Sequence, residues 1–472
     1  MNLEGMEVLV VGLARTGTAA ARFLSRRGAR VVGTDVRNRG DLERESPELK
    51  DLDVELRVGE SQAEESFLRA ELIVLSPGVP PSIRPIVEAR RRGIPVVGEI
   101  ELASWFITIP IVAVTGTNGK TTTTLLIGEM LKRAGRRIFV GGNVGNPLIN
   151  LAGDEGDREI AVVELSSFQL ETIGRFRPAL AVLLNITEDH LDRYTSFDSY
   201  LEAKSRLFIN QEETDVSILN WEDRLVKRAA SACRARKLFF NLPGGESEGA
   251  FFDGERIVVR GIEGEEVYYP GRSGLVGGHN RENMMAAILS ARLYGCPRDA
   301  VQTALEEFEG LPHRLEFVRE TGGVRYFNDS KATNVGAAVK SLQAFSGPVI
   351  LIAGGRDKGG DYAPLKGPIL ERVEHLILIG EAADRMEREL GAVAKIIRAE
   401  SLEEAVGEAH LLARPGDTVL LSPACSSYDM FRDYEERGEV FKALVKRLGG
   451  PAKTGGSGAA REKNRRAETS PT

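Results

Sequence analysis

Short apolar runs alternate with amphipathic stretches along almost the whole chain, and this pattern predicts an α/β protein whose sheets are largely parallel and joined by crossover helices. Length adds that one core is not enough: 472 residues exceed what a single hydrophobic core accommodates, so two to four domains are expected. The runs fall into three blocks that break near residues 100 and 310. The expectation is therefore three α/β domains.

In the first block, MEVLVVG, RVVGTD, LIVLSPG and IPVVGE read as strands. The second opens at IPIVAVTGTNGK and continues through EIAVVELSS and LAVLLNITEDH. The third follows Gly310-Leu-Pro-His-Arg314 with RYFNDS, PVILIAGG, HLILIGE and TVLLSPA. Expected boundaries are 1–99, 100–310 and 311–448. Residues 449–472 lack a core-forming pattern and are expected to be a disordered tail.

Composition narrows the function classes. Hydrophobic content of 42% and charged content of 28% are those of a soluble globular chain. A net charge of −7 speaks against a basic nucleic-acid footprint. No apolar run is long enough to span a bilayer, and Glu4 and Glu7 interrupt any secretion signal. The three cysteines, Cys233, Cys296 and Cys425, lie far apart without metal-type spacing. A cytoplasmic, reduced, disulfide-free protein is the simplest account.

The stretch VAVTGTNGKTTTT (112–124) carries the first chemistry. A glycine-rich turn between strand and helix exposes backbone N–H groups, and the helix N-terminus adds partial positive charge. Gly116, Thr117, Asn118, Gly119, Lys120, Thr121 and Thr122 would form such a cradle, with Lys120 on the terminal phosphates and the Thr121 hydroxyl on a magnesium ion. The strict spacing wants glycine at 114, where this chain has Val114. A turn with a solvated Lys120 is the plain alternative, but strand, helix and Gly-Lys-Thr in register favour phosphate. The loop implies ATP or GTP and leaves the reaction open.

Ligands of open parallel sheets collect beyond the carboxyl ends of the strands. Two further strands of the second block end there in polar groups, AVVE at Glu164 and VLLNITEDH at Asp189-His190. Glu164 suits a magnesium-organising carboxylate, or a capping glutamate. His190 is one of five histidines and would equally serve as a structural one. Asn143, in VGGNVGNP, could offer an amide to the same mouth, or form a turn. Lys204, in YLEAKSRLF, reads on its own as a surface lysine on a helix.

Together, GTNGKTT, ELSSFQL, NITEDHLDRY, YLEAKSRLF, GGHNREN and GLPHRLE resemble the Mur ligase family, which builds the bacterial peptidoglycan precursor. In the third block NDSKATN, AGGRDKGGDY and LSPACSSYDMFRDYEERG are similar to the member that adds D-glutamate to UDP-N-acetylmuramoyl-L-alanine. The resemblance runs from about residue 5 to 448. It implies a Rossmann-like N-terminal UDP-binding domain, a central P-loop ATPase domain with a mostly parallel sheet, and a C-terminal Rossmann-like α/β domain that takes the amino acid. It also explains Val114, because the family's loop is shortened.

The implied chemistry begins with attack of the substrate carboxylate on the γ-phosphate of ATP. The amine of D-glutamate then displaces phosphate from the acyl phosphate. By the same resemblance Thr121, Glu164, His190 and Lys204 surround Mg²⁺ (or Mn²⁺), with Lys204 carbamylated into an anionic oxygen donor. Asn143 and His190 contact the substrate, while Asn280, Arg314 and Asp329 contact the nucleotide. Thr333 and Lys358 hold one carboxylate of D-glutamate; Ser427 and the backbone near Tyr434 hold the other. Tyr434 departs from a common phenylalanine. Ala14, Arg15 and Thr16 would meet the diphosphate and Asp35 and Arg37 the uridine end, with Val36 replacing a frequent hydroxyl residue. The partners implied are small molecules, neither nucleic acid nor membrane, and the chain would be a monomer.

Three rivals stay open on the residues alone. Asp35 lies 18 residues beyond Gly17, near the acidic position of a dinucleotide-binding dehydrogenase, although Ala14 breaks the glycine pattern. The phosphate loop by itself would suit a nucleotide switch. A folate-polyglutamylating ligase is the nearest relative in chemistry.

Overall fold

The computed structural model describes residues 2–59, 64–187, 189, 193–194, 196–244, 247–270, 275, 277–308, 310–357, 359 and 361–449. His190, Lys358 and nearly all of the expected tail lie outside the described residues. The chain divides into two compact units, one of Met1–Ser273 with Gly278–Phe308 and one of Gly274–Gly277 with Glu309–Thr472.

The first unit holds two sheets. Five parallel strands, β1 (Glu7–Val11), β2 (Arg30–Asp35), β3 (Glu55–Val58), β4 (Leu72–Leu75) and β5 (Val96–Gly98), lie in the order β3-β2-β1-β4-β5. The second sheet contains β6 (Ile111–Thr115), β7 (Ile138–Gly142), β8 (Ile160–Glu164), β9 (Leu180–Leu183), β10 (Val216–Asn220), β11 (Arg236–Phe240), β12 (Gly249–Phe252), β13 (Ile257–Arg260) and β14 (Glu265–Tyr268). Its order is β14-β13-β12-β11-β10-β9-β6-β8-β7, parallel from β7 to β12 and antiparallel over the last two pairings. Central strands such as β6 (IVAVT) are buried throughout, as helix-covered parallel strands must be. One continuous apolar core takes residues from both sheets, including Val8 and Leu72 of the first and Ala113 and Ala181 of the second.

The second unit has six strands: β15 (Glu316–Thr321), β16 (Val324–Asn328), β17 (Val349–Gly354), β18 (Val373–Ile379), β19 (Ile396–Arg398) and β20 (Thr418–Leu421). Their order is β15-β16-β20-β17-β18-β19, parallel except for the edge strand β15.

The strands that the apolar runs do not reveal are mostly edge or near-edge strands. β3 (ELRV), β11 (RKLFF) and β14 (EEVY) carry charges because part of each faces solvent. β10 (VSILN) is buried but interrupted by Ser217, whose hydroxyl donates to Gln211 Oε1 at 2.6 Å.

Two buried glutamates in the helix Glu99–Ser104 fasten the first sheet to the second. Glu101 accepts the backbone N–H groups of Gly174, Arg175 and Phe176 and the indole N–H of Trp105, all at 2.8–2.9 Å. Glu99 is less well served. Its Oε1 accepts from Ile149 N at 2.7 Å, and its Oε2 is buried and, among the described residues, has no hydrogen-bond partner. Burial raises its pKa to about 7, against the opposing backbone hydrogen bonds.

An acid whose pKa is higher in the folded state binds more protons folded than unfolded. Its contribution to stability therefore falls as pH rises from the ordinary glutamate range through about 7. Glu99→Gln should leave the melting temperature unchanged near pH 5 and raise it near pH 8. Thermal melts across that range check this, and equal pH slopes in variant and parent would contradict it.

Candidate active site

The carboxyl ends of β7, β8, β6 and β9 form one edge, because Gly142 pairs with Glu164, Glu164 with Val114, and Thr115 with Leu183. Asn143, Glu164, Gly116 and Asn185 thus come from four neighbouring strand ends. Gly116 (φ 156°) and Gly119 (φ 86°) take backbone conformations that side chains rarely adopt. Space forbids one as well: a Cβ on Gly119 would lie 2.2 Å from Asn283 Oδ1. Asn283 belongs to the helix Gly278–Leu293, and its amide donates to Asn280 Oδ1 at 3.1 Å, so Asn280 lies against the loop's helix start.

Gly119 begins the helix Lys120–Arg133, which places Lys120, Thr121 and Thr122 in its first turn. Lys120 Nζ donates to the carbonyls of Gly116 and Thr117, both at 3.0 Å. From another helix, Phe197–Ser205, Lys204 Nζ donates to the same Gly116 carbonyl at 3.0 Å. Lys204 is 1% exposed, which corrects its reading as a surface lysine. Burial and the neighbouring Lys120 charge hold its pKa well below the usual lysine range, against the pull of Asp189.

Tyr200 sits one turn earlier on that helix, 4.9 Å from Lys204 Nζ measured to its ring centre. Its hydroxyl lies 3.0 Å from Thr117 Oγ1, which also accepts from Thr187 N at 3.0 Å. Burial pushes the phenol up to about 12. Asn185 holds the loop from the opposite side. Its Oδ1 accepts from Asn118 N at 2.8 Å, its Nδ2 donates to Asn118 O at 3.1 Å, and its carbonyl accepts from Thr117 N at 2.9 Å. Neither residue stands out by type; Asn185 lies within NITEDH, and only proximity reveals its work.

Glu164 faces this cradle from β8. Its Oε1 accepts from Asn143 Nδ2 at 2.8 Å, and its backbone carbonyl accepts from Asn143 N at 2.9 Å. Its Oε2 is buried and, among the described residues, has no hydrogen-bond partner. A buried carboxylate oxygen without a donor, beside a phosphate loop, fits a hard cation. Thr121 and Lys204 are the other described candidates for that ion. Among the described residues no three His, Cys, Asp or Glu side chains gather in metal-binding fashion.

The β1 turn lies in the same unit. Gly12 has φ 86°, and a Cβ on Gly17 would meet the Gly12 carbonyl at 1.8 Å. Ala14 precedes the helix Arg15–Arg26 without a side-chain cap, leaving that end to backbone N–H groups near Arg15 and Thr16. Arg15 Nη2 reaches the Asn143 carbonyl at 3.5 Å and so links the two sheets' sites. Asp35 is already engaged, accepting from Leu13 N, Arg37 N and the Arg37 guanidinium at 2.7–3.0 Å. Burial raises its pKa, but these donors outweigh it and hold the carboxyl below its usual range. Val36 beside it is exposed.

In the second unit Arg314 is exposed on a tight loop between His313 (φ 63°) and Leu315 (φ 43°). Asp329 is buried, accepting from Ser422 Oγ at 2.9 Å, from Leu315 N at 3.2 Å and from Ser341 Oγ. Burial raises its pKa to about 6 against those donors and the Arg314 charge. In this geometry Asp329 anchors the Arg314 loop. Thr333 is half-buried just before the helix Val335–Gln343, and Ser427 is buried in the loop after β20. Tyr434 opens the helix Tyr434–Arg447; Lys331 Nζ lies 5.3 Å from its ring centre and the His313 ring packs edge-on at 6.0 Å.

Residues 6–98 match the family description "Mur ligase MurD-like, N-terminal domain". Residues 114–291 match "Mur ligase middle domain", and 313–425 match "Mur ligase, glutamate ligase domain". A protein of Geotalea uraniireducens named UDP-N-acetylmuramoylalanine–D-glutamate ligase is 52% identical over 450 residues, covering 95% of this chain and 99% of its own. One of the same name from Syntrophotalea carbinolica is 49% identical, covering 95% and 99%. Among solved structures, MurF ligase from Thermotoga maritima in complex with ADP aligns with a TM-score of 0.58 at 19% identity, over 89% of this chain and 96% of that one. A pseudomurein peptide ligase type C from Methanothermus fervidus aligns at 0.57 and 19%, over 94% and 99%.

Asn185→Ala removes two hydrogen bonds that set the loop's shape. At about 1 kcal/mol each, nucleoside triphosphate binding measured by calorimetry should weaken about tenfold or more. Unchanged affinity would show that the loop holds its shape alone.

Proposed function

The chain belongs to the Mur ligase family, and on that premise we propose that it joins D-glutamate to UDP-N-acetylmuramoyl-L-alanine at the expense of ATP, releasing ADP and phosphate in peptidoglycan precursor synthesis. The observation that carries this reading is the 52% identity to a relative of that activity along 95% of the chain. A carboxylate and an amine do not condense unaided in water. The substrate carboxylate attacks the γ-phosphate of ATP, its oxygen bonding to phosphorus as ADP leaves. The D-glutamate nitrogen then bonds to the acyl carbon, and phosphate departs with that oxygen.

Both steps concentrate negative charge, so oriented N–H groups and cations carry most of the barrier reduction. In this reading Gly116, Thr117, Asn118, Gly119, Lys120, Thr121 and Thr122 cradle the phosphates, and Lys120 exchanges its loop carbonyls for phosphate oxygens. Glu164, Thr121 and Lys204, with His190, would hold Mg²⁺ or Mn²⁺. When bound, the ion neutralises phosphate charge and draws the oxygens into line. Lys204 would suit a carbamate because its amine is buried beside Lys120, and both burial and that charge disfavour its protonated form. A neutral amine adds CO₂ through a new N–C bond, releases a proton and becomes an anionic oxygen donor. Asn143 steadies Glu164 through its amide and offers its remaining surface to the substrate.

The three sheets divide the substrates in this proposal. The 1–99 segment takes the UDP end at Ala14, Arg15, Thr16 and the Asp35–Arg37 clamp. The 100–310 segment takes ATP with Asn280, and the 311–448 segment supplies Arg314 and Asp329 to the nucleotide. D-glutamate is held by Thr333, Lys358, Ser427 and the backbone near Tyr434. Among the described residues no helix is long and apolar enough to cross a membrane. A cytoplasmic monomer is part of the proposal. The dehydrogenase alternative is disfavoured because Asp35 spends its oxygens on Leu13 and Arg37 rather than offering them to a ribose.

ADP release measured with the UDP substrate should require D-glutamate and be weak with L-glutamate. Stimulation by neither substrate would overturn the ligase reading and favour a nucleotide switch. Lys120→Ala should lose turnover by several orders of magnitude while still binding the UDP substrate; full activity would remove the loop from the reaction. Lys204→Ala should lose activity and recover part of it with short carboxylic acids, whereas an unaffected variant would refute the carbamate.

A further inference from the structure

Arg437 is 1% exposed in the first turn of the helix Tyr434–Arg447 and has no part in the roles assigned above. Among the described residues it meets no carboxylate within ion-pair distance; its guanidinium faces oxygen atoms of two loops. Nε donates to Ser330 Oγ at 2.9 Å, and Nη2 donates to Ser330 O at 2.8 Å and Cys425 O at 3.3 Å. Nη1 donates to Cys425 O at 3.3 Å and Ser426 O at 3.2 Å. A third loop leans on the same place, since Arg356 N donates to Ser426 O at 2.9 Å. A Cβ on Gly355 would lie 2.3 Å from that carbonyl and 3.2 Å from Arg437 Nη1. Ser330 Oγ in turn donates to Tyr434 O at 2.8 Å.

These anchor points bracket the expected amino-acid contacts. Thr333 follows Ser330 by three residues, Ser427 follows Ser426 directly, Lys358 follows Arg356 by two, and Tyr434 is itself an acceptor. A trans peptide directs its C=O and the next N–H to opposite sides. With the carbonyls of Cys425 and Ser426 on the guanidinium, the N–H groups of Ser426 and Ser427 point away from it. The peptide after Ser330 behaves this way: its carbonyl meets Arg437, and Lys331 N donates to His313 O at 3.0 Å. A buried cation on the Ser426 carbonyl also polarises the peptide that leads into Ser427, strengthening that N–H group as a donor to an anion. Burial lowers the guanidinium toward about 10, with Asp429 and Cys425 opposing, so it stays charged at neutral pH.

We propose that Arg437 is the positioning residue of the amino-acid site, a planar fork that ties the Ser330 loop to the Cys425–Ser426 loop, on which the Arg356 loop rests, and so sets the place of the substrate carboxylate's contacts on them. The proposal rests on the D-glutamate ligase reading. It distinguishes Arg from Lys, because only a planar fork reaches five acceptor contacts on separate loops at once.

The test compares wild type, Arg437→Lys, Arg437→Ala and Ser330→Ala in steady-state kinetics, with melting temperatures alongside. Arg437→Lys should raise KM for D-glutamate about tenfold or more and leave KM for ATP and for the UDP substrate within about twofold. Guanidinium ion added to Arg437→Ala should lower the D-glutamate KM again. Ser330→Ala, which keeps the arginine and removes one acceptor, should raise it a few-fold with little change in melting temperature and so keeps the test available where Arg437 variants fold poorly. An unchanged D-glutamate KM in a folded variant, or parallel losses in all three substrates, would overturn the positioning role. Wild type without D-glutamate-dependent turnover would instead overturn the ligase reading beneath it.

Discussion

Two lysine amines from different helices, Lys120 and Lys204, donate to one carbonyl, that of Gly116. Everything around the phosphate loop is arranged to make that convergence tolerable. The carbonyl sits at the end of buried strand β6, and Gly116 and Gly119 adopt conformations that free the turn from side chains. Asn185 and Thr117 peg the turn to the neighbouring strand end. Two cations so placed in a buried site repel, and burial resolves the conflict by driving Lys204 toward its uncharged form. The result is a turn on which two lysine amines converge, one of them buried and pushed toward its neutral form.

The buried carboxylates sort by whether their oxygens are satisfied. Glu101, Asp35 and Asp329 each accept several donors and serve as staples, holding a loop, the β1 turn and the Arg314 loop respectively. Among the described residues Glu99 and Glu164 each keep one buried oxygen without a hydrogen-bond partner. Burial pushes Glu99 toward its protonated form, raising its pKa to about 7. Glu164 stands at a strand end beside the phosphate loop, where such an oxygen fits a hard cation.

Much of this was legible in the sequence. Buried parallel strands such as IVAVT and VILIAG leave short unbroken apolar runs, and the turn GTNGKTT combines glycines and hydroxyls that have few other uses. Glu164 at a strand end was visible for the same reason. The edge strands were not, since ELRV and EEVY mix charge with apolar residues just as exposed helices do. Residues whose work depends on distant partners stayed hidden: Asn185 meets Asn118 across 67 positions, and Arg437 meets Ser330 across 107. Residue pattern alone leaves Lys204 looking like a surface lysine, because a nine-residue helix can bury any of its faces and periodicity does not say which.

The central claim is that the phosphate loop activates the substrate's own carboxylate before the amide forms. An oxygen label tests it most directly. UDP-N-acetylmuramoyl-L-alanine carrying ¹⁸O in its carboxylate is turned over with ATP and D-glutamate, and the released phosphate is analysed by ³¹P NMR. The account predicts that each phosphate carries one labelled oxygen taken from the acid. Unlabelled phosphate accompanying amide formation would mean that the acid was never phosphorylated, and the account would fall.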